Sequence, residues 1–361
     1  MSASSDDTGA LRGSRATNKS IRMINEQGES FSYSAEELMA RGLNRWRGWH
    51  CTAGVENMYI THDGSIYGSV CREGGFIGNV FEVNFYNRMK YVKCTRRFCT
   101  CGTDMALRKF KRLKNRYQAY HITPVEVEQE PARDYVAVQN FYQNEIPAKQ
   151  VLWDLGRRCN YACSYCPPAT SNRFEAHKSL GSLTHAMTNI ENSFLKGDLC
   201  KFIFGGGEPT MNPDFLDFVR EVHGRVPVKS PKENHWIHVT TNGSRLPEYY
   251  LDLIRYAGLT FSVHFEFYNK EKFLAVIGSL VQAKAKEPNL QYRYIGIRIM
   301  VQPGRGEEAQ SLIDDLKSLP DFDDQAVVNV SPLLEFSPNY EFDFESKMPA
   351  SYSAQELALF D

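Results

Sequence analysis

From residue 151 onward, short apolar runs alternate with longer stretches in which apolar residues recur every three to four positions. The runs at 151–155, 201–204, 236–240, 260–265, 295–301 and 327–333 have the length and the β-branched or aromatic content of strands. The stretches at 213–222, 247–257, 270–286 and 307–316 carry the amphipathic period of helices. Strand–helix repetition implies a parallel sheet, so the pattern predicts an α/β fold. Ahead of residue 150 the pattern changes. Ser34-Ala-Glu-Glu37 is a capping-box start for a helix running to about Arg41. Residues 58–71 make two β-rich runs around Asp63-Gly64, a hairpin that returns Cys71 toward the Cys51 end of its unit. Ser351-Tyr-Ser-Ala-Gln-Glu-Leu357 nearly repeats Ser32-Tyr-Ser-Ala-Glu-Glu-Leu38, and shared helix-start chemistry explains the likeness.

Composition narrows the class. A chain of 361 residues, 42% apolar and 12% aromatic, can bury a substantial core and suggests two domains. No run approaches the ~18 apolar residues of a membrane span, and the first twenty residues are polar and Ser-rich, so a cytoplasmic protein without a membrane partner is expected. Nine cysteines in such a chain point to metal ligation rather than disulfides. A net charge of −1 excludes a global field for polyanions. The local exception, Arg108-Lys-Phe-Lys-Arg-Leu-Lys-Asn-Arg116, reads as a solvated helix face or as a grip on RNA or an acidic peptide.

The cysteines carry the chemistry. Cys159-Asn-Tyr-Ala-Cys163-Ser-Tyr-Cys166 places three thiols at C-x3-C-x2-C spacing, which can hold three corners of an iron–sulfur cluster and leave the fourth iron open to a substrate or cofactor. The competing readings are a structural zinc site and a buried trio of inert thiols. Zinc normally takes four ligands in two paired groups, and no His or Cys follows at finger spacing.

From about Gln150 to Glu335 the sequence resembles the radical S-adenosylmethionine (radical SAM) superfamily. The resemblance implies a partial (β/α)6 TIM-like barrel. It also implies a [4Fe–4S] cluster on Cys159, Cys163 and Cys166 whose open iron chelates S-adenosylmethionine, with Tyr165 packed near the adenine. Phe204-Gly205-Gly206-Gly207-Glu208-Pro209-Thr210 resembles the family's Gly-Gly-Glu-Pro element, in which bare backbone admits the methionine moiety and Glu208 accepts from its ammonium. Thr241 and Asn242 resemble the next strand end, though Asn242-Gly243 also reads as a plain turn. Ser262 and His264 resemble polar strand residues reaching the nucleoside, and their alternation is equally that of any half-buried strand. Arg298 is a similar candidate, with a solvent-facing arginine as the alternative.

Cys51, Cys71, Gly78-Asn79-Val80 and the group Cys94, Cys99 and Cys101 resemble the auxiliary-cluster modules called SPASM and twitch domains, here ahead of the barrel. That resemblance implies a probable auxiliary [4Fe–4S] cluster from four of the five thiols, against a zinc site of the ribbon kind. Cys200 reads as an ordinary buried thiol. The expected division is a polar segment and short helix at 1–45, the cysteine-rich module at 46–105, a basic linker at 106–149, the barrel at 150–335 and a tail at 336–361 that covers a barrel end. The family implies an external reductant such as flavodoxin or ferredoxin, and an oxidoreductase-like enzyme. Reductive cleavage of S-adenosylmethionine would yield a 5′-deoxyadenosyl radical that takes a substrate hydrogen, and a second cluster favours dehydrogenation or crosslinking of a peptide or small metabolite. The alternatives are redox-neutral epimerisation or rearrangement of a sugar or amino-acid metabolite, RNA modification, and a scaffold that binds the cofactor without turning over.

Overall fold

The structure, a computed structural model, describes residues 21–82, 90–120, 125–126, 134–140, 149–166, 171–198, 200–225, 237–333, 335–336, 346–347, 349 and 351–360. In chain order the strands are β1 (Ile21–Asn25), β2 (Glu29–Tyr33), β3 (His50–Cys51), β4 (Asn57–Ile60), β5 (Ser65–Tyr67), β6 (Phe76–Asn79), β7 (Val92–Lys93), β8 (Lys109–Phe110) and β9 (Val125–Glu126). They continue with β10 (Tyr135–Asn140), β11 (Lys149–Asp154), β12 (Cys200–Gly205), β13 (Ile237–Thr241), β14 (Gly258–Val263), β15 (Ile295–Val301) and β16 (Val327–Pro332). The helices are α1 (Ala35–Ala40), α2 (Gly102–Met105), α3 (Arg116–Tyr120), α4 (Leu180–Ile190), α5 (Phe215–Arg225), α6 (Pro247–Leu253), α7 (Lys270–Lys286), α8 (Gly306–Lys317), α9 (Phe322–Gln325) and α10 (Ala354–Leu357). Contacts divide the chain into two units, residues 1–51 with 94–146, and residues 52–93 with 147–361.

The second unit is built on the larger sheet. Its strands run β16-β15-β14-β13-β12-β11-β4-β5-β6, with β11 to β16 all parallel and α4 to α8 on the crossovers. Alternation sorts each strand by face. Val151, Trp153, Phe202, Phe204, Val239, Phe261, Ile297 and Ile299 are buried in the main apolar core, whereas Asp154, His238, Thr240, Thr260 and Ser262 take the other face. That second face lines the lumen of an open half-barrel, because β16 and β6 do not pair with each other among the described residues. The expected α/β class with a partial barrel is therefore present. The hairpin expected around Asp63-Gly64 is β4–β5, and β4 joins the sheet parallel to β11, so the hairpin extends the barrel edge.

The first unit has a sheet in the order β3-β8-β10-β1-β2-β9. Its core gathers Ile21, Met23, Phe31, Leu38, Trp46, Met105 and Val138. Helix α1 starts at Ser34, whose hydroxyl accepts from Glu37 N at 3.0 Å while the Glu37 carboxylate accepts from Ser34 N at 2.8 Å. The near-repeat does the same at α10, with Ser353 and Glu356 in those roles. The basic run is not one helix face. Arg108 and Lys109 are buried, and the Lys109 ammonium lies over the Trp46 ring and donates to the carbonyls of Asp104, Met105 and Leu107, so only the later basic residues face solvent.

Cys51, Cys94, Cys99 and Cys101 belong to the first unit, and Cys71 to the second. No helix among the described residues is long and apolar enough to cross a membrane.

Candidate active site

Cys159, Cys163 and Cys166 follow the end of β11, at the mouth of the half-barrel, and all three line one cavity of about 250 Å³. The other walls are Tyr161, Tyr165, Ser171, Gly206, Gly207, Thr240, Thr241, Asn242, Ser262, His264 and Leu333. The cavity thus draws on loops and strand ends along the C-terminal edge of the sheet, where parallel barrels keep their chemistry.

The Gly-rich element is explained by its neighbours. Gly206 has φ +113°, and a Cβ there would lie 2.3 Å from the Gly156 carbonyl oxygen. A Cβ on Gly207 would lie 2.4 and 2.5 Å from the carbonyl oxygens of Arg157 and Arg158. Gly207 N donates to Gly156 O at 2.8 Å and Glu208 N to Arg158 O at 2.8 Å. The bare backbone therefore seats the segment that leads into Cys159, a role beyond the access for methionine expected from sequence. Gly205, the last residue of β12, does not line the cavity.

Glu208 also stands differently. Its carboxylate is buried and accepts from Thr210 N at 3.0 Å, Thr210 Oγ1 at 2.6 Å, Thr241 Oγ1 at 2.8 Å and Asn242 N at 2.5 Å. Burial pushes its pKa up, opposed by those bonds. Glu208 ties the end of β12 to the end of β13 and is not among the cavity walls, with three of its bonds on Oε1 and one on Oε2. Asn242 gains by this arrangement: its amide reaches Asn160 Oδ1 at 2.9 Å and lies 3.9 Å from Cys159 Sγ.

Burial raises the pKa of Cys159 and pushes Cys163 up to about 11, so bare thiolates are disfavoured, and a metal that ligates them reverses the balance. Tyr161 N donates toward Cys159 Sγ at 3.3 Å. Tyr165 stacks on His264 with ring centroids 5.9 Å apart and planes at 22°, its hydroxyl 2.8 Å from Nδ1. Burial lowers His264 to about 4, which keeps the ring neutral near pH 7. A flat, uncharged surface beside the last cysteine suits an aromatic base. β14 ends at Val263, so His264 lies in the following turn rather than on the strand; it still lines the cavity, as does Ser262. Arg298 is exposed, pairs in register with Ser262 and Asn329, and is not a cavity wall.

Sequence reading passed over Tyr161, Ser171, Thr240 and Leu333. Tyr161 was within reach, since it sits inside the cysteine loop, whereas Leu333 is brought in only by the fold. Among the described residues no three His, Cys, Asp or Glu side chains converge on a single-ion position, the three loop cysteines included. In a four-iron cluster each thiolate takes a different iron, and convergence on one point is not required.

In the first unit, residues 44–51 and 94–99 run antiparallel. Cys94 N donates to Trp49 O at 2.9 Å, Gly48 N to Cys94 O at 2.7 Å, and Cys99 N to Asn44 O at 2.9 Å. Cys101 is the N-cap of α2, and burial pushes its thiol up to about 12. Cys71, in the other unit, has its Sγ 3.1 Å from Ser69 Oγ. Cys200 is buried on β12 in the apolar core.

Known proteins share parts of this chain. It is similar to a GTP 3′,8-cyclase of Acaryochloris marina, 30% identical over 122 residues that make up 34% of this chain and 35% of that protein. It is also similar to molybdenum cofactor biosynthesis protein 1 of Mus musculus, 30% identical over 105 residues, 29% of this chain and 15% of that protein. The chain thus spans well under half of these curated relatives. A solved structure, a polyhistidine-tagged anSMEcpe with bound AdoMet, overlaps 58% of this chain and 57% of its own at a TM-score of 0.39 and 16% identity. The model of the Radical SAM superfamily matches residues 153–316, the segment that carries the three-cysteine loop, the Gly-rich element and the strands behind them, and this segment is a radical SAM domain.

Proposed function

We propose that this protein reductively cleaves S-adenosylmethionine in the cavity at Cys159, Cys163 and Cys166 and removes a hydrogen atom from a small metabolite or peptide. The observation that carries the reading is the joining of three thiols, a backbone-packed Gly206-Gly207 step and a Tyr165–His264 ring pair in one cavity at the barrel mouth. Cys159, Cys163 and Cys166 would hold a [4Fe–4S] cluster, which would supply the single electron that cleaves bound S-adenosylmethionine to methionine and a hydrogen-abstracting 5′-deoxyadenosyl group. The protein's residues do the rest. Tyr165 and His264 take the base, Ser262, Thr240 and Asn242 offer hydrogen bonds to polar groups of the cofactor, and the enclosing walls keep water from the reacting carbon. Substrate would approach from the lumen, where Asp154, held by the Tyr59 hydroxyl at 2.6 Å, and Arg298 present polar groups. A flavodoxin- or ferredoxin-type reductant delivers the electron.

The oxidative form of the reaction, dehydrogenation or crosslinking, rests on an auxiliary cluster. Four of the five N-terminal cysteines, Cys51, Cys71, Cys94, Cys99 and Cys101, are the proposed ligands, and backbone pairing brings Cys94 and Cys99 beside residues 44–49. A redox-neutral rearrangement is the second reading, favoured by the partial likeness to GTP 3′,8-cyclases.

Metal content separates the two. In a variant with Cys159, Cys163 and Cys166 replaced by Ala, the oxidative reading expects about four irons per chain and absorbance near ~400 nm. Further replacement of Cys51 or Cys71 removes that iron. Stoichiometric zinc after anaerobic, iron-replete expression would leave the redox-neutral reading.

A further inference from the structure

Ser164 stands between Cys163 and Tyr165, inside the three-cysteine loop, and both of its donors are spent on one carboxylate. Ser164 N donates to Glu266 Oε2 at 2.7 Å, and its hydroxyl donates to Oε1. Glu266 lies three residues beyond β14, in the turn closed by Phe267 N and Tyr268 N on His264 O, and it is only half-buried. The same Oε1 accepts from Gln302 Nε2 at 2.9 Å, and Gln302 follows β15 directly. Partial burial works to raise the Glu266 pKa, but the bonds from Ser164 and Gln302 and the charge of Arg305 outweigh it and hold the carboxyl below its ordinary value, so it is charged at neutral pH. One carboxylate therefore spans three elements: the cysteine loop and the two strand ends facing it.

The turn that supplies Gln302 is fastened in its own right. Gly304 N and Gly306 N donate to Glu356 Oε1 at 2.6 and 3.2 Å, and Glu356, on α10, is 5% exposed. Its other oxygen accepts from Ser353 N and Oγ at 2.8 and 2.9 Å. Gly306 leaves no room for a side chain, since a Cβ would lie 2.6 Å from Glu356 Cγ. Tyr352 adds a second fixing: its hydroxyl accepts from Leu333 N at 2.8 Å and donates to Val301 O at 2.6 Å. Leu333 is itself a wall of the cavity.

We propose that Glu266 is the positioning residue of the cysteine loop, and that the C-terminal helix α10 acts on the same loop through the turn 302–306 and Glu266. The proposal rests on the reading of Cys159, Cys163 and Cys166 as cluster ligands. Glu266 touches neither the thiols nor the cavity; it fixes the backbone between the second and third ligands against strand ends that cannot move independently of the barrel. Without it, Ser164 exchanges its partners for water, and the loop samples geometries in which a thiolate leaves its iron. Loss of Glu356 frees the turn that orients Gln302, and so loosens one of the three attachments of Glu266.

The test is the rate at which anaerobically reconstituted protein loses iron to EDTA, followed by bleaching near ~400 nm in a background in which Cys51 and Cys94 are replaced by Ala. Glu266→Ala should lose iron about tenfold faster than the parent, the scale of a lost hydrogen bond to a charged group. Glu266→Gln, which still offers one acceptor to Ser164 N, should recover most of the difference. Glu356→Ala should accelerate loss by a smaller factor, and the Glu266→Ala, Glu356→Ala double variant should lose iron no faster than Glu266→Ala alone, because the second residue acts through the first. The melting temperature of the iron-free protein should be unchanged by Glu266→Ala, which a merely structural role would lower. An iron-loss rate within twofold of the parent, or a double variant whose factor is the product of the two single ones, overturns the proposal. Failure to load any cluster in the parent would instead remove the cluster reading on which the proposal rests.

Discussion

Replacing Cys159, Cys163 and Cys166 together by Ala abolishes the high-affinity site for S-adenosylmethionine and leaves the fold standing. The three side chains are only partly buried and sit in a loop after β11, outside the apolar core built by Val151, Trp153, Phe202 and Phe204, so their truncation opens little cavity. What would be lost is the metal proposed to hold the cofactor. The Tyr165–His264 pair and the polar strand ends remain, but contacts of that kind contribute ~1 kcal/mol each and do not hold a cofactor at micromolar concentration. Equilibrium dialysis of anaerobic protein measures the difference. Wild-type affinity in the triple variant would place the cofactor elsewhere.

Gly207→Ala is the second large effect, and it arises from backbone alone. Its added methyl would stand 2.4 to 2.6 Å from the carbonyl groups of Arg157 and Arg158, which have no rotamer to retreat into. Those carbonyls lead into Cys159, and one of them accepts from Glu208 N. Either the Gly-rich turn or the start of the cysteine loop must shift, at a cost of about 3 kcal/mol or more on the scale of an overpacked site. Cluster loading and thermal stability should fall together. Gly181→Ala, with nothing within 4 Å of the added methyl, is the control: cluster loading should be unchanged and thermal stability unchanged or slightly raised, since Ala favours helix α4 over Gly.

The barrel was legible in the sequence because each strand carries its own signature. Ile295–Val301 has a β-branched residue at every second position, and Lys270–Lys286 keeps its helical period over its whole length. Helix α4 was not read, although Leu183, Ala186, Met187 and Ile190 are its buried face; Gly181, Ser182, Thr184, Thr188 and Asn189 are weak helix formers that masked the period. The sheet of the first unit escaped for another reason. Ile21 pairs with Asn140, and no local pattern announces a partner so far along the chain. Non-local pairing also hid the attachment of β4 to β11, and with it the division of the cysteines between the two units.

Within the site, the cysteines, Tyr165 and the glycines were readable because spacing and residue type alone define what they can do. The bonds that Glu208 accepts from Thr241 and Asn242 were not legible, since those donors lie more than thirty residues on. No local pattern around Glu266 announces its partner. Its bond to Ser164 crosses 102 positions and exists only because β14 turns at His264.

The central claim is that the cavity at Cys159, Cys163 and Cys166 performs reductive cleavage. Anaerobically reconstituted protein, given S-adenosylmethionine and dithionite, should release 5′-deoxyadenosine and methionine in equal amounts, and the triple Cys→Ala variant should release neither above the protein-free background. Equal release from wild type and variant, or a fully iron-loaded wild type that binds S-adenosylmethionine and leaves it intact under reduction, would contradict it.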